Sequence, residues 1–211
     1  MPPNKLKRER WEYPNDECGG TAVALQEYLA EKLTERRYHH VLSVKEMAIE
    51  LAQCHAVDVG KTRLAALLHD CAKWMSREEL YRTAARYEIH LDAVEQVTPA
   101  LLHAIIGVKL AEEQFGVADA GVLEAIRWHT TGHPSMGPIA QVLYVADFAE
   151  PTRTHEGVDV VRELAYTQLS RAVHHVASYK IQHLLEKKVM IHPNTLHTYN
   201  STFDPGLGSG V

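Results

Sequence analysis

A chain of 211 residues with 45% hydrophobic and 23% charged content is long enough for one domain with a full core, or for one domain plus a tail. Its net charge of -5 and isoelectric point near 6.3 exclude a nucleic-acid backbone as the main partner, because counterion release needs clustered Lys and Arg. No apolar run approaches the ~20 residues of a membrane-spanning helix, and three cysteines without paired spacing or a signal-peptide pattern point to a reduced, soluble, cytoplasmic protein.

Residues 1–20 carry three prolines, the run Lys5-Leu6-Lys7-Arg8-Glu9-Arg10 and Gly19-Gly20 without helical or strand period, so a flexible N-terminal extension is expected there. Thr21 is placed to cap a first helix through about Thr34, with Ala22, Leu25, Tyr28, Leu29 and Leu33 as its apolar stripe. A second helix is expected from about Tyr38 to Val57. At about 100° per residue its inward face is Val41, Val44, Ala48, Leu51 and Ala52, which puts His40 at the edge of that face and His39 away from it.

Asp58 can cap a third helix that runs to about Trp74 and carries His69-Asp70 directly after Ala65-Ala66-Leu67-Leu68, a stretch apolar on nearly every side. A buried carboxylate there needs a cation or a dense set of hydrogen bonds; a metal ion and a core His-Asp pair both meet that need. Ser76-Arg77-Glu78-Glu79 is a capping box that opens a fourth helix through about Tyr87. Pro99 opens another, apolar nearly all round and ending at Gly116, which buries His103. Asp119 caps the helix that ends in Trp128-His129, with His129 near its inward side.

Pro138 begins a further apolar helix that is stopped by Pro151 and contains Asp147 with no basic residue at i±3 or i±4. Both Asp70 and Asp147 fall near helix C-termini, where the macrodipole disfavours an acid by ~0.3 to 1 kcal/mol, a penalty a nearby cation would offset. One long final helix is expected from about Asp159 to Lys188, with His174, His175 and His183 on its surface, and a disordered tail at 201–211. No stretch alternates with the period of a strand, so the fold class is all-α.

Fourteen histidines against three phenylalanines is the unusual feature of the composition. The polar residues predicted to face inward, His40, His69, Asp70, His103, His129 and Asp147, are spread over five helices, and each left unpaired would cost about 1 to 3 kcal/mol. Two divalent cations bridged by Asp70 satisfy all of them. His40, His69, Asp70 and Asp147 then take one metal, and Asp70, His103 and His129 the other. Imidazole with carboxylate suits Fe, Mn, Co, Ni or Zn. Two ions ~3.5 to 4 Å apart can hold a hydroxide for hydrolysis at phosphorus.

His40, His69-Asp70 and Asp147 resemble the H…HD…D signature of the HD-domain metal phosphohydrolases, with His103 and His129 matching the extra ligands of two-metal members. A closer resemblance is to the YqeK-type symmetrical diadenosine tetraphosphatases. It is carried by Arg37-Tyr38-His39-His40, Ile126 to Gly132, the block Tyr144 to Arg153, Gly157-Val158 and Ile191-His192-Pro193, and covers about residues 21–200. The resemblance implies a single HD-domain helical bundle with an iron-favouring dinuclear site that splits diadenosine tetraphosphate into two ADP. It makes Asp70 catalytic as the bridge and gives Lys73 and Arg153 contacts to the polyphosphate. His133 stands where relatives carry Arg after H-T-x-G, so phosphate binding there is expected to be weaker or pH-dependent. Ala149 replaces a larger aliphatic residue.

The expected partner is thus a small dinucleoside polyphosphate, with no nucleic acid and no membrane, and a homodimer is left open. The alternatives are another HD nucleotide phosphohydrolase, such as a nucleoside monophosphate phosphatase or a cyclic-nucleotide phosphodiesterase, and a non-catalytic nucleotide-sensing module.

Overall fold

The computed structural model describes residues 20–204; the extension expected over 1–20, apart from Gly20, and the tail Pro205–Val211 lie outside the described residues. Eleven α-helices and one 3-10 turn make up the fold, and no strand occurs among the described residues. They are α1 Gly20–Lys32, α2 Glu35–Cys54, α3 Val59–Leu68, α4 Arg77–Arg86, α5 Ala93–Val97, α6 Leu102–Phe115 after the 3-10 turn Pro99–Leu101, α7 Ala120–Trp128, α8 Pro138–Ala149, α9 Val158–Ala165, α10 Leu169–Glu186 and α11 Pro193–Ser201.

Helix α8 is the middle of the bundle. Its sequence buries Ala140, Val142, Leu143, Tyr144, Val145, Ala146 and Ala149, and it packs against α2, α3, α7, α9 and α10. An all-apolar helix has no solvent face to satisfy, so it is stable only when surrounded. Each fully buried Leu or Val in this packing contributes about 1.5 to 3 kcal/mol. Asp147 is the one charged residue on this helix, and α2, the turn after α3 and the end of α7 carry His40, His69 and His129.

Local chemistry sets the helix ends. The Thr34 hydroxyl accepts the Arg37 amide, so α2 starts three residues before the expected Tyr38. Asp58 and Asp119 cap α3 and α7 through their carboxylates, and Ser76 with Glu79 forms the reciprocal capping box of α4.

Four expectations are corrected. Helix α3 stops at Leu68 rather than near Trp74: Cys71, Lys73 and Met75 donate to Leu68, Asp70 and Ala72, and these three-residue turns replace the helical ladder. The long final helix is two helices. The Ala165 carbonyl, which would accept the next helical bond, instead takes a hydrogen bond from His55 Nε2 at 2.6 Å, and the chain turns at Tyr166-Thr167-Gln168. Helices α5 and α11 were not expected at all. His174 is buried, not on the surface: its ring lies 4.5 Å from that of Tyr199 because α11 folds back over α10.

Candidate active site

The turn after α3 delivers two residues to the same place. His69 is fully buried and Asp70 nearly so. His40 from α2, His103 from the first turn of α6, His129 from the end of α7 and Asp147 from α8 converge on them. Their ligand atoms form two groups, each within 4.8 Å: His40, His69 and Asp147 in one, and Asp70, His103 and His129 in the other. Asp70 connects them, because its Oδ2 lies 3.6 Å from His69 Nε2 while its Oδ1 lies 3.2 Å from His103 Nε2 and 3.8 Å from His129 Nε2. His39 is exposed.

The imidazoles are oriented by one repeated device. Nδ1 of His69 faces the carbonyl of Ala66, Nδ1 of His103 that of Ala100, and Nδ1 of His129 that of Ile126, each three residues back. A carbonyl can only accept, so Nδ1 donates and Nε2 is left to present its lone pair. This is the tautomer a metal ligand needs. His40 Nδ1 faces the Glu150 carboxylate at 3.1 Å to the same effect. His69 Nε2 is buried without a hydrogen-bond partner, and His103 Nε2 lies 3.0 Å from His129 Nε2. Two facing lone pairs repel unless a cation lies between them. The donor set therefore fits divalent ions with borderline ligand preference.

Burial pushes the His69 imidazole down, and burial with the neighbouring His69 and His103 rings holds His129 well below its usual range, which favours the ligating neutral form. Burial opposes ionisation of Asp70 and Asp147. Neighbouring histidines, with Lys73 at Asp70, outweigh it and hold both well below the usual carboxylate range.

A third group, Asp92, Glu95 and His192, has similar spacing. Here the tautomer is reversed: His192 Nδ1 accepts the Asn194 amide, capping α11, so its proton sits on Nε2, 2.8 Å from Asp92 Oδ2. Arg127 bonds Glu95 at 2.8 Å. The ion pair Arg127–Glu95 joins α7 to α5, and the neutral His192 ring at the start of α11 packs its Nε2 against Asp92, so the cluster reads as a structural link between the three helices.

Cations surround the centre. Arg37 donates to Asp70 Oδ2 at 2.9 Å, Lys73 Nζ lies 3.8 Å from Asp70 Oδ1 and against the His103 ring, and Arg153 reaches Asp147 Oδ1 at 3.2 Å. Burial lowers the Lys73 ammonium. His133 stacks on the Trp128 ring and accepts the Ser135 amide, outside both cavities described below.

Two residues not singled out from the sequence hold the site together. Glu150 is fully buried; its Oε1 accepts from His40 and the Thr152 hydroxyl, and its Oε2 from the Ser43 hydroxyl and the Thr152 amide. Lys180 donates to the carbonyls of His129 and Thr130 and sits 3.9 Å above the Tyr144 ring, and burial lowers its ammonium to about 8. Glu150 carried a signal as part of the Tyr144–Arg153 block, though not one that assigned it a role; Lys180 carried none.

An apolar cavity of about 690 Å³ opens beside the centre, reaching Asp147 and Thr130 and walled by Phe148, Tyr179, Leu184 and Met190. Its volume and apolar walls suit one small-molecule moiety. The Phe148 and Tyr179 rings lie 6.1 Å apart and nearly parallel. Gly157, at φ 80°, abuts Tyr179 so closely that a Cβ would run into the ring. Gly157→Ala is therefore expected to lower stability by about 2 to 4 kcal/mol and to displace this wall. A thermal melt and adenosine titration check both; an unchanged melt counts against the packing described.

Residues 37–151 match the HD domain family. The chain belongs to that family. Within it, the symmetrical bis(5'-nucleosyl)-tetraphosphatase of Bacillus subtilis is 39% identical over 81% of this chain and 91% of its own. The enzyme of the same name from Halalkalibacterium halodurans is 40% identical over 80% and 89%. A crystal structure of an HD superfamily hydrolase from Clostridium acetobutylicum, described as involved in NAD metabolism, superposes with a TM-score of 0.83 at 34% identity, covering 86% of this chain and 96% of that one. HD hydrolases are metal-dependent, in keeping with the donor groups above. No helix among the described residues is long and apolar enough to cross a membrane.

Proposed function

We propose that this protein hydrolyses diadenosine tetraphosphate at its central anhydride to give two ADP, with two divalent ions at the paired donor groups. The observation that carries the reading is the convergence of four imidazoles, oriented through Nδ1, and two carboxylates beside a cavity large enough for a nucleoside. The names of the relatives from Bacillus subtilis and Halalkalibacterium halodurans supply the substrate class. His40, His69, Asp70 and Asp147 would hold one ion and Asp70, His103 and His129 the other, with Asp70 shared.

Ions bound there would supply the charge that activates a water and neutralises phosphate oxygens. The protein's own groups do the rest. Phe148 and Tyr179 enclose one nucleoside and fix the distance from it to the scissile bond. Lys73 and Arg153, each adjacent to a ligand carboxylate, meet the polyphosphate and offset charge that builds on the leaving half. Iron is the ion proposed, with manganese, cobalt, nickel and zinc as the other candidates for such a donor set. The cytoplasm is the compartment proposed.

Product analysis tests the reading. Chromatography after incubation with iron or manganese is expected to give ADP alone from diadenosine tetraphosphate. AMP with ATP, free phosphate, or turnover only of nucleoside monophosphates or cyclic nucleotides would refute it. Elemental analysis of anaerobically purified protein is expected to find two metal equivalents per chain.

A further inference from the structure

A second cavity, of about 390 Å³, borders the same centre and differs in kind from the first. It is lined by Arg36, Arg37 and Arg153 with Thr34 and Thr152, and it reaches His40 and Glu150. It adjoins the apolar cavity across the His40–Asp147 contact of 3.0 Å. No Phe, Tyr or Trp lines it, so it offers no surface of the Phe148–Tyr179 kind for a base.

Its lining carries three cations to one acid, two of them already paired: Arg37 with Asp70, and Arg153 with Asp147 and Glu150. Three guanidinium groups face one carboxylate, and both oxygens of that carboxylate, Glu150, already accept two donors each. Arg37 commits one nitrogen to Asp70 and Arg153 commits Nε and one terminal nitrogen to the Asp147 carbonyl and carboxylate. Each guanidinium has five N–H donors, so both keep donors for a further acceptor. Arg36 is exposed, and its side chain makes no hydrogen bond or ion pair among the described residues. Planar forked donors at a partly enclosed site match phosphate oxygens better than any other common ligand group.

We propose that the Arg36–Arg37–Arg153 cavity is a second phosphate subsite, which holds the diphosphate of the half of the substrate that departs. The proposal rests on the reading of the centre as a symmetrical tetraphosphatase. A substrate cleaved at its middle extends two equal arms away from the scissile bond. The apolar cavity takes the nucleoside of one arm, and the three guanidinium groups take the phosphates of the other. In the step itself the water oxygen bonds to one central phosphorus and the central P–O anhydride bond breaks. The bond's electron pair remains on the departing diphosphate, facing the arginines, and the water's protons pass to solvent.

Arg36→Ala is the informative variant, because among the described residues the Arg36 side chain makes no hydrogen bond or ion pair with a metal-binding residue or with the rest of the fold. On the metal-loaded protein, the KM for diadenosine tetraphosphate is expected to rise about tenfold with kcat changed less than about threefold, the loss of one charge-assisted contact. Pyrophosphate, the probe for this cavity, is expected to bind about tenfold more weakly by calorimetry, while inhibition by adenosine, the probe for the apolar cavity, is unchanged. Arg36→Lys recovers part of both effects. An unchanged KM in Arg36→Ala overturns the proposal, whether or not pyrophosphate binding falls. So does a parallel loss of adenosine binding. If the wild-type protein fails to cleave diadenosine tetraphosphate, the functional reading fails instead, and pyrophosphate calorimetry still reports on the cavity by itself.

Discussion

Asp70→Ala is expected to remove nearly all metal and to lower turnover at least about a thousandfold, with the helical content unchanged. Asp70 lies within 4 Å of ligand atoms in both donor groups, facing His69 through Oδ2 and His103 and His129 through Oδ1. Its removal also strands Arg37, which donates to it at 2.9 Å, and Lys73, so two cations would remain beside the imidazoles where a metal ion must sit. Repulsion from those cations adds to the loss of the bridging ligand. Asp147→Ala contrasts with it: only the group with His40 and His69 loses its acid, so one metal equivalent is expected to remain. His175→Ala, on the outer side of α10, changes neither metal content nor rate. Elemental analysis, turnover and circular dichroism on the three variants decide the matter. An Asp70→Ala protein that keeps two equivalents and its activity would end the two-ion reading.

Much of this centre was visible before folding, because burial of polar residues follows from periodicity. A 100° helical step separates His40 from His39, and the apolar run before His69-Asp70 leaves that pair no route to solvent. The parts that could not be read depend on partners far along the chain. Helices α9 and α10 look continuous in sequence, and what divides them is His55, 110 residues before the carbonyl it captures. Helix α5 has only five residues and α11 is nine mostly polar ones, without enough turns to register a period. His174 sits on a mixed helix face, and only the return of α11 over that face buries it. Lys180 looks like a solvated residue of an amphipathic helix until the end of α7 places two carbonyls against its ammonium. In each case local pattern was overridden by a tertiary contact that no local pattern encodes.

Glu150→Gln is expected to be the costliest conservative change in the protein. Each carboxylate oxygen accepts two donors: His40 Nδ1 and the Thr152 hydroxyl on one side, the Ser43 hydroxyl and the Thr152 amide on the other. Glutamine replaces one oxygen with an NH2 that cannot accept, so one pair of donors loses its acceptor: buried His40 with the Thr152 hydroxyl, or the half-buried Ser43 hydroxyl with the Thr152 amide. At about 1 to 3 kcal/mol per orphaned group the loss is about 3 kcal/mol, or about 10 °C in Tm for a chain of this size. His40 also loses the group that fixes its ring, and metal affinity is expected to fall about 10- to 100-fold. The same carboxylate sets an acid limit. Burial would raise it, but the hydroxyl and amide donors, with His40, hold it at about 2 against a usual 4.5. A depressed folded-state value means the stabilisation is complete above about pH 4.5 and is lost as pH falls toward 2. Glu150→Gln removes that titration, so the variant should start less stable at pH 7 and lose less stability than wild type between pH 4.5 and 2. Thermal melts across that range, together with metal titration at pH 7, test both halves. Parallel pH curves for the two proteins would mean that Glu150 is not the group that sets the acid limit.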